Sequence, residues 1–105
     1  MKITYLSATT AALALLSAPA FADCNTVRFS DVGWTDITAT TATASTVLSA
    51  LGYQTEVLLL SVPVTYTSMA EGDIDVFLGN WMPTMEADIA PYREAGTVDT
   101  VRRNL

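Results

Sequence analysis

Three short apolar runs of strand length follow one another along the chain after residue 22. They predict strands over Thr26–Ser30, Glu56–Val62 and Ile74–Leu78. The second run is nearly continuous in apolar residues, which predicts a strand that is buried in a parallel sheet. Pro63 is expected to break this strand, because proline cannot donate a hydrogen bond to a neighbouring strand.

The segments between these runs have apolar residues at steps of three and four, which is the period of a helix. The longest helix is predicted to begin at Asp36, in the N-cap position, and to end at Gly52, in the C-cap position. Shorter helices are predicted over Val64–Glu71 and Pro83–Pro91, with a further one opening over Thr97–Leu105.

The resulting β-α-β-α-β-α order predicts an open α/β domain with a parallel sheet. Crossovers in such sheets are right-handed. If the strands lie in the order 2-1-3, the first and third strands are neighbours. Ligands of such sheets bind at the carboxyl ends of the strands, at the point where the direction of winding changes. Trp34 follows the first strand and Trp81 follows the third, and they are the only tryptophans. The sequence therefore predicts that both indoles lie at one crevice.

Trp34, Asp36 and Trp81 form the candidate binding site. An indole face attracts cations, and one such contact contributes about 0.5 to 2 kcal/mol. A quaternary ammonium has no N–H to donate, so its site needs aromatic faces, and Asp36 could add a negative charge or accept a hydrogen bond from a ligand hydroxyl. In the alternative interpretation the tryptophans are packing residues and Asp36 only caps its helix.

The composition argues against several other functions. The chain has no histidine, which removes Ser-His and Cys-His pairs, and it contains no nucleophile or phosphate-binding motif. Five basic residues against 11 acidic ones leave no basic patch for nucleic acid. The acids Glu71, Asp73 and Asp75 are interpreted as solvated rim residues. We expect a binding protein without a cofactor or metal. A small secreted α/β enzyme and a structural or interaction module are the alternatives.

The N-terminus predicts export. Lys2, an apolar stretch and the small residues before Ala22 are typical of a signal peptide over residues 1–22, cleaved after Ala22. Cys24 is the only cysteine in a chain that is addressed to an oxidising space, which suggests a disulfide partner outside this chain. A free thiol and a lipid-bearing cysteine are the alternatives, and Asp23 argues against the second.

Two segments carry a family resemblance: Phe29–Asp36 (FSDVGWTD) and Gly72–Thr84 (GDIDVFLGNWMPT). They resemble the periplasmic choline-binding proteins of ABC importers, within the glycine betaine/choline substrate-binding class. The resemblance implies a hinged receptor of two lobes with a type II-like periplasmic-binding-protein fold, in which aromatic walls surround a trimethylammonium group. Trp34 and Trp81 match two of these walls, and Asp36 matches an acid at the hydroxyl end, which favours choline over glycine betaine.

The resemblance also implies a periplasmic location and an ABC permease as partner. Proteins of this family are longer than residues 23–105, so this segment is expected to be a truncated, partial N-terminal lobe, the β-α-β-α-β start of lobe I. The remaining aromatic walls of the ligand site are then expected to lie outside this chain.

Overall fold

The computed structural model describes residues 24–104, so the predicted signal peptide over residues 1–22 lies outside the described part. Three strands alternate with three helices in the predicted order. In chain order the elements are β1 (Thr26–Asp31), α1 (Thr35–Ala50), β2 (Gln54–Leu59), α2 (Val62–Glu71), β3 (Val76–Phe77) and α3 (Glu86–Glu94).

The three strands form one parallel sheet in the order β2-β1-β3. Along β1 the register runs from Thr26 opposite Gln54 to Asp31 opposite Leu59, and Phe29 lies opposite Val76. The predicted parallel sheet and strand order are therefore confirmed. Because β1 is central, its last residues are buried, and its carboxyl end lies beside that of β3.

Helix α1 begins two residues earlier than predicted. Its N-cap is Trp34, whose backbone is extended, and Asp36 lies within the first turn, so the prediction of Asp36 as the N-cap is wrong. The preceding turn sets this start, because the carboxylate of Asp31 binds the N–H of Gly33 and leaves Trp34 as the last extended residue. At the other end the C-cap is Leu51, and Gly52 follows it with φ +98°.

Strand β2 is exposed, and the prediction of a buried strand over Glu56–Val62 is wrong. Its apolar residues Val57, Leu58 and Leu59 are 49%, 40% and 73% exposed. The physical reason is that β2 is an edge strand of the sheet within residues 24–104. Pro63 does not end β2 either, because it lies in the first turn of α2, where a missing N–H costs nothing.

The segment after β2 departs from the sequence prediction at three places. Strand β3 spans only Val76–Phe77 within the predicted Ile74–Leu78. Residues 82–85 form turns, so α3 begins three residues after Pro83, and Pro91 lies inside α3 instead of at its end. The helix predicted to open over Thr97–Leu105 is absent from residues 97–104.

The main apolar core lies between α2, α3 and the segment that follows α3. Tyr66, Met85, Ile89 and Val98 form this buried cluster. The ring of Tyr66 stacks on that of Tyr92 and meets the ring of Phe77 edge-on, each with 5.9 Å between centroids. The core therefore supports β3 and the loop that follows it. Within residues 24–104, the helices are too short or too polar to cross a membrane.

Candidate functional site

The two tryptophans meet at the carboxyl ends of β1 and β3. Their ring centroids are 5.0 Å apart and their planes are tilted by 46°. Trp34 is 37% exposed and Trp81 is 48% exposed, so each indole keeps much of its surface open to solvent. The prediction that the topology brings the two indoles together is therefore confirmed.

The loop that carries Trp34 is fixed by Asp31, the last residue of β1. Its carboxylate accepts hydrogen bonds from the N–H of Gly33 at 2.9 Å and from Oγ1 of Thr38 at 2.8 Å. Gly33 has φ +80°, which a residue with a side chain rarely adopts, and its Cα faces Leu59. Asp31 thus ties the end of the central strand to the first turn of α1, on either side of Trp34.

The loop that carries Trp81 is fixed by the core. The hydroxyl of Tyr66 donates a hydrogen bond to Oδ1 of Asn80 at 2.6 Å. The N–H of Met85 donates to the backbone oxygen of Trp81 at 2.8 Å, and the N–H of Trp81 contacts the sulfur of Met85 at 3.1 Å. Burial raises the pKa of Tyr66 to about 12, so this hydroxyl keeps its proton at neutral pH and remains a donor.

Gly79 lets the end of β3 pack closely on α1. A Cβ at this position would lie 2.8 Å from Cε2 of Phe77 and 3.0 Å from Cγ2 of Ile37. Only a residue without a side chain fits there. The close approach sets where the chain leaves the sheet, two residues before Trp81.

The geometry of the indole pair limits how a cation can bind. A cation–π contact places the cation within about 6 Å of a ring centroid. Centroids 5.0 Å apart leave no room for a quaternary ammonium between the rings. The 46° tilt opens a wedge instead, from whose mouth one ligand can touch both indoles. The pair can therefore supply two adjacent walls of a cage.

Asp36 is an exposed residue in the first turn of α1, two positions after Trp34. Its backbone oxygen accepts a hydrogen bond from Thr40, and its carboxylate forms no hydrogen bond or ion pair within residues 24–104. A carboxylate near a helix N-terminus is favourable because of the positive end of the helix dipole. The role of Asp36 toward a ligand stays a prediction.

One of the three acids at the opposite end of the sheet, Asp75, has a structural partner. Asp75 accepts two hydrogen bonds at 3.0 Å from the guanidinium of Arg28 and one at 2.8 Å from its backbone N–H. The hydrogen bond from Arg28 holds the pKa of the Asp75 carboxyl below its usual value. No three residues of the types that commonly bind metals come together in the described part of the chain.

Sequence reasoning missed three residues that build this site: Asp31, Tyr66 and Asn80. A signal existed for Asp31, because an aspartate two positions before a glycine is typical of a turn in which the side chain binds a following N–H. The sequence offered no comparable signal for the bond between Tyr66 and Asn80, since it depends on how α2 packs beside the loop after β3.

A comparison with protein-family models identifies one family. A family model described as the substrate binding domain of ABC-type glycine betaine transport systems matches residues 25–105. An uncharacterised protein, ORF1 of Chromohalobacter salexigens, is 54% identical over 93 residues, which cover 88% of this chain and 60% of that protein.

Two solved structures are also similar. They are an ABC-transporter choline binding protein in complex with choline, with a TM-score of 0.74, and one in an unliganded semi-closed conformation, with a TM-score of 0.70. Both are 80% identical to this chain over 75% of its length. The match spans only 27% of each of those chains.

Proposed function

Since the chain belongs to the family of substrate-binding domains of ABC-type glycine betaine transport systems, we propose that it forms part of an extracytoplasmic receptor for choline or a related quaternary ammonium. The family membership confirms the resemblance drawn from the two tryptophan segments. It also confirms the fold class, because the α/β chain matches the start of a choline-binding protein of this class.

The observation that carries the proposal is the contact between Trp34 and Trp81. A trimethylammonium group has a positive charge and an apolar surface but no hydrogen-bond donor, so it is recognised by aromatic faces. The wedge between the two indoles offers such faces at the carboxyl ends of adjacent strands. The choline complex of an 80% identical protein supports choline as the ligand.

Asp36 is assigned to the hydroxyl end of the ligand. An acid there accepts a hydrogen bond from choline and repels the carboxylate of glycine betaine. The proposed ligand-binding residues are therefore Trp34, Asp36 and Trp81, and choline is the preferred ligand.

The family is one of transport receptors, not of enzymes. The two alternative functions lose support for separate reasons. A small α/β enzyme does not fit the family, and a purely structural role for the tryptophans does not fit indoles that are 37% and 48% exposed. In our proposal the receptor binds its ligand without chemistry and delivers it to an ABC permease.

Membership of the same family supports an extracytoplasmic location. We assign the receptor to the periplasm, residues 1–22 to a signal peptide that is cleaved after Ala22, and residues 23–105 to a partial N-terminal lobe. Cys24 is exposed and is a free cysteine within residues 24–104, which agrees with a disulfide partner outside this segment.

The first experiment titrates the chain with choline and follows the fluorescence of its two tryptophans. Because the two indoles are only two walls of a cage and exclude little water, we expect weak binding or none in the isolated chain. The second experiment therefore grafts residues 24–104 onto the choline-binding protein in place of the matching segment and measures choline binding by calorimetry.

In this chimera we expect choline binding, and Trp81→Ala is expected to weaken it about tenfold, since one cation–π contact contributes about 1 to 2 kcal/mol when water is excluded. Tyr53→Ala is the matched control, because Tyr53 is an exposed aromatic residue that precedes β2, at the opposite end of the sheet. Equal choline affinity of the Trp81→Ala and Tyr53→Ala chimeras would refute the assignment.

A further inference from the structure

We infer that Asp31 sets the charge preference of the tryptophan site: it places a fixed negative charge beneath the Trp34 loop that favours ligands with net positive charge over zwitterions. This inference rests on the proposed function and assigns a specificity-determining residue to the same site. It differs from the role of Asp36, which is exposed and addresses the ligand's hydroxyl.

The surroundings of Asp31 are those of a buried, unneutralised carboxylate. The residue is only 8% exposed and ends the central strand. Its hydrogen-bond donors are the N–H of Gly33 and the hydroxyl of Thr38, which are both neutral. The two ion pairs within residues 24–104 join Arg28 to Asp75 and Arg93 to Glu86, so no arginine compensates Asp31.

The negative charge of Asp31 opposes the positive end of the α1 helix dipole. A helix of 16 residues carries about half a positive charge at its N-terminus, and here the N-cap is Trp34 itself. Such an end attracts anions and repels a quaternary ammonium at the adjacent indole. The carboxylate of Asp31 accepts a hydrogen bond from Thr38 in the first turn of this helix. In this proposal its full negative charge outweighs the half positive charge of the helix end.

The turn alone does not require a charge. Asparagine at this position would accept the bond from the N–H of Gly33 with its carbonyl oxygen and donate its amide to Thr38. A buried carboxylate costs more to desolvate than an amide. A charged residue where a neutral one satisfies the same two bonds therefore indicates a role for the charge, and that role fits a cationic ligand beside Trp34.

The first test measures the local potential in the 105-residue chain without any ligand. Caesium and iodide ions both quench indole fluorescence, and their relative efficiency depends on the electrostatic potential around the rings. Asp31→Asn is expected to lower the caesium-to-iodide quenching ratio about twofold or more. Glu71→Gln is the matched control, since it removes one negative charge from an exposed helix end at the opposite end of the sheet and should change the ratio far less. Equal ratios in the two variants would overturn the inference.

The second test uses the chimeric receptor and compares choline with glycine betaine and with the neutral carbon isostere of choline. Asp31→Asn is expected to lower the affinity for choline about tenfold relative to betaine and to leave the affinity for the neutral isostere within about twofold. An equal loss for all three ligands would overturn the inference, because it would show that Asp31 only shapes the loop. Asp31→Ala provides that comparison, since it removes both hydrogen bonds and should weaken all three.

The two tests distinguish a failure of the choline assignment from a failure of the role of Asp31. If the unmodified chimera binds no choline but the quenching ratio still falls in Asp31→Asn, the choline assignment is wrong and the charge of Asp31 stands. If the chimera binds choline and Asp31→Asn behaves as Glu71→Gln in both tests, the ligand assignment stands and the role of Asp31 is wrong.

Discussion

Two buried threonines on successive helices should respond in opposite directions to the same substitution. Thr41 in α1 is 1% exposed, and its hydroxyl forms no hydrogen bond within the described part of the chain. Thr65 in α2 is fully buried, and its hydroxyl bonds Oγ of Ser30 at 2.6 Å and the backbone oxygen of Ser61 at 2.9 Å. Thr→Val keeps the branched shape of the side chain and replaces the hydroxyl by a methyl group.

The magnitudes follow from these bonds. An unpaired buried hydroxyl costs about 1 to 3 kcal/mol, so Thr41→Val is expected to raise the free energy of unfolding by about 1 kcal/mol. Thr65→Val breaks two hydrogen bonds and leaves the hydroxyl of Ser30, which is fully buried, without this partner. A loss of about 2 kcal/mol is expected. Valine and threonine have similar helix propensities, so that difference does not decide either sign.

Urea denaturation and thermal unfolding of the chain measure both effects. For a domain of this size, 1 kcal/mol shifts the melting temperature by about 4 to 8 °C, so the two variants should lie on opposite sides of the unmodified chain. Destabilisation by Thr41→Val, or a Thr65→Val variant as stable as the unmodified chain, would refute the reasoning.

Two further predictions concern the ends of the sheet. The lowered pKa of Asp75 means that its pairing with Arg28 stabilises the fold above the carboxyl's ordinary pKa of 3.8, and that this stabilisation is lost as pH falls through the lower folded-state pKa. Asp75→Asn should therefore give a shallower loss of stability below pH 4 in acid denaturation, and an unchanged slope would contradict the pairing. Gly79→Ala should destabilise the chain by about 2 kcal/mol in urea, because its Cβ would overlap the ring of Phe77. A fully stable variant would show that this ring moves aside at no cost.

The sequence predicted the parts of the fold that depend on pattern and chain handedness. The order of elements follows from hydrophobic periods, and with the assumed strand order β2-β1-β3 it was enough to bring Trp34 and Trp81 together. The 5.0 Å contact and the 46° tilt were not predictable, because they depend on the loops after β1 and β3.

The wrong predictions share a physical cause. The local sequence pattern of a segment does not show which other parts of the fold will pack against it. The apolar run in β2 predicts a buried strand, but the strand lies at an edge of the sheet. Pro63 was predicted to break a strand, but it lies in the first turn of α2. Asp36 was predicted to be the N-cap, but the hydrogen bond from the N–H of Gly33 to Asp31 moves the start of α1.

The hydrogen bond from Tyr66 to Asn80 links the interior of the chain to one wall of the proposed cage. Tyr66 belongs to the core cluster and also holds the residue before Trp81. If Trp81 binds the ligand as proposed, folding stability and ligand affinity are thermodynamically coupled through the side chain of Tyr66. Substitutions among the core partners of Tyr66, remote from any ligand, should alter affinity together with stability, so selection for either property constrains the other.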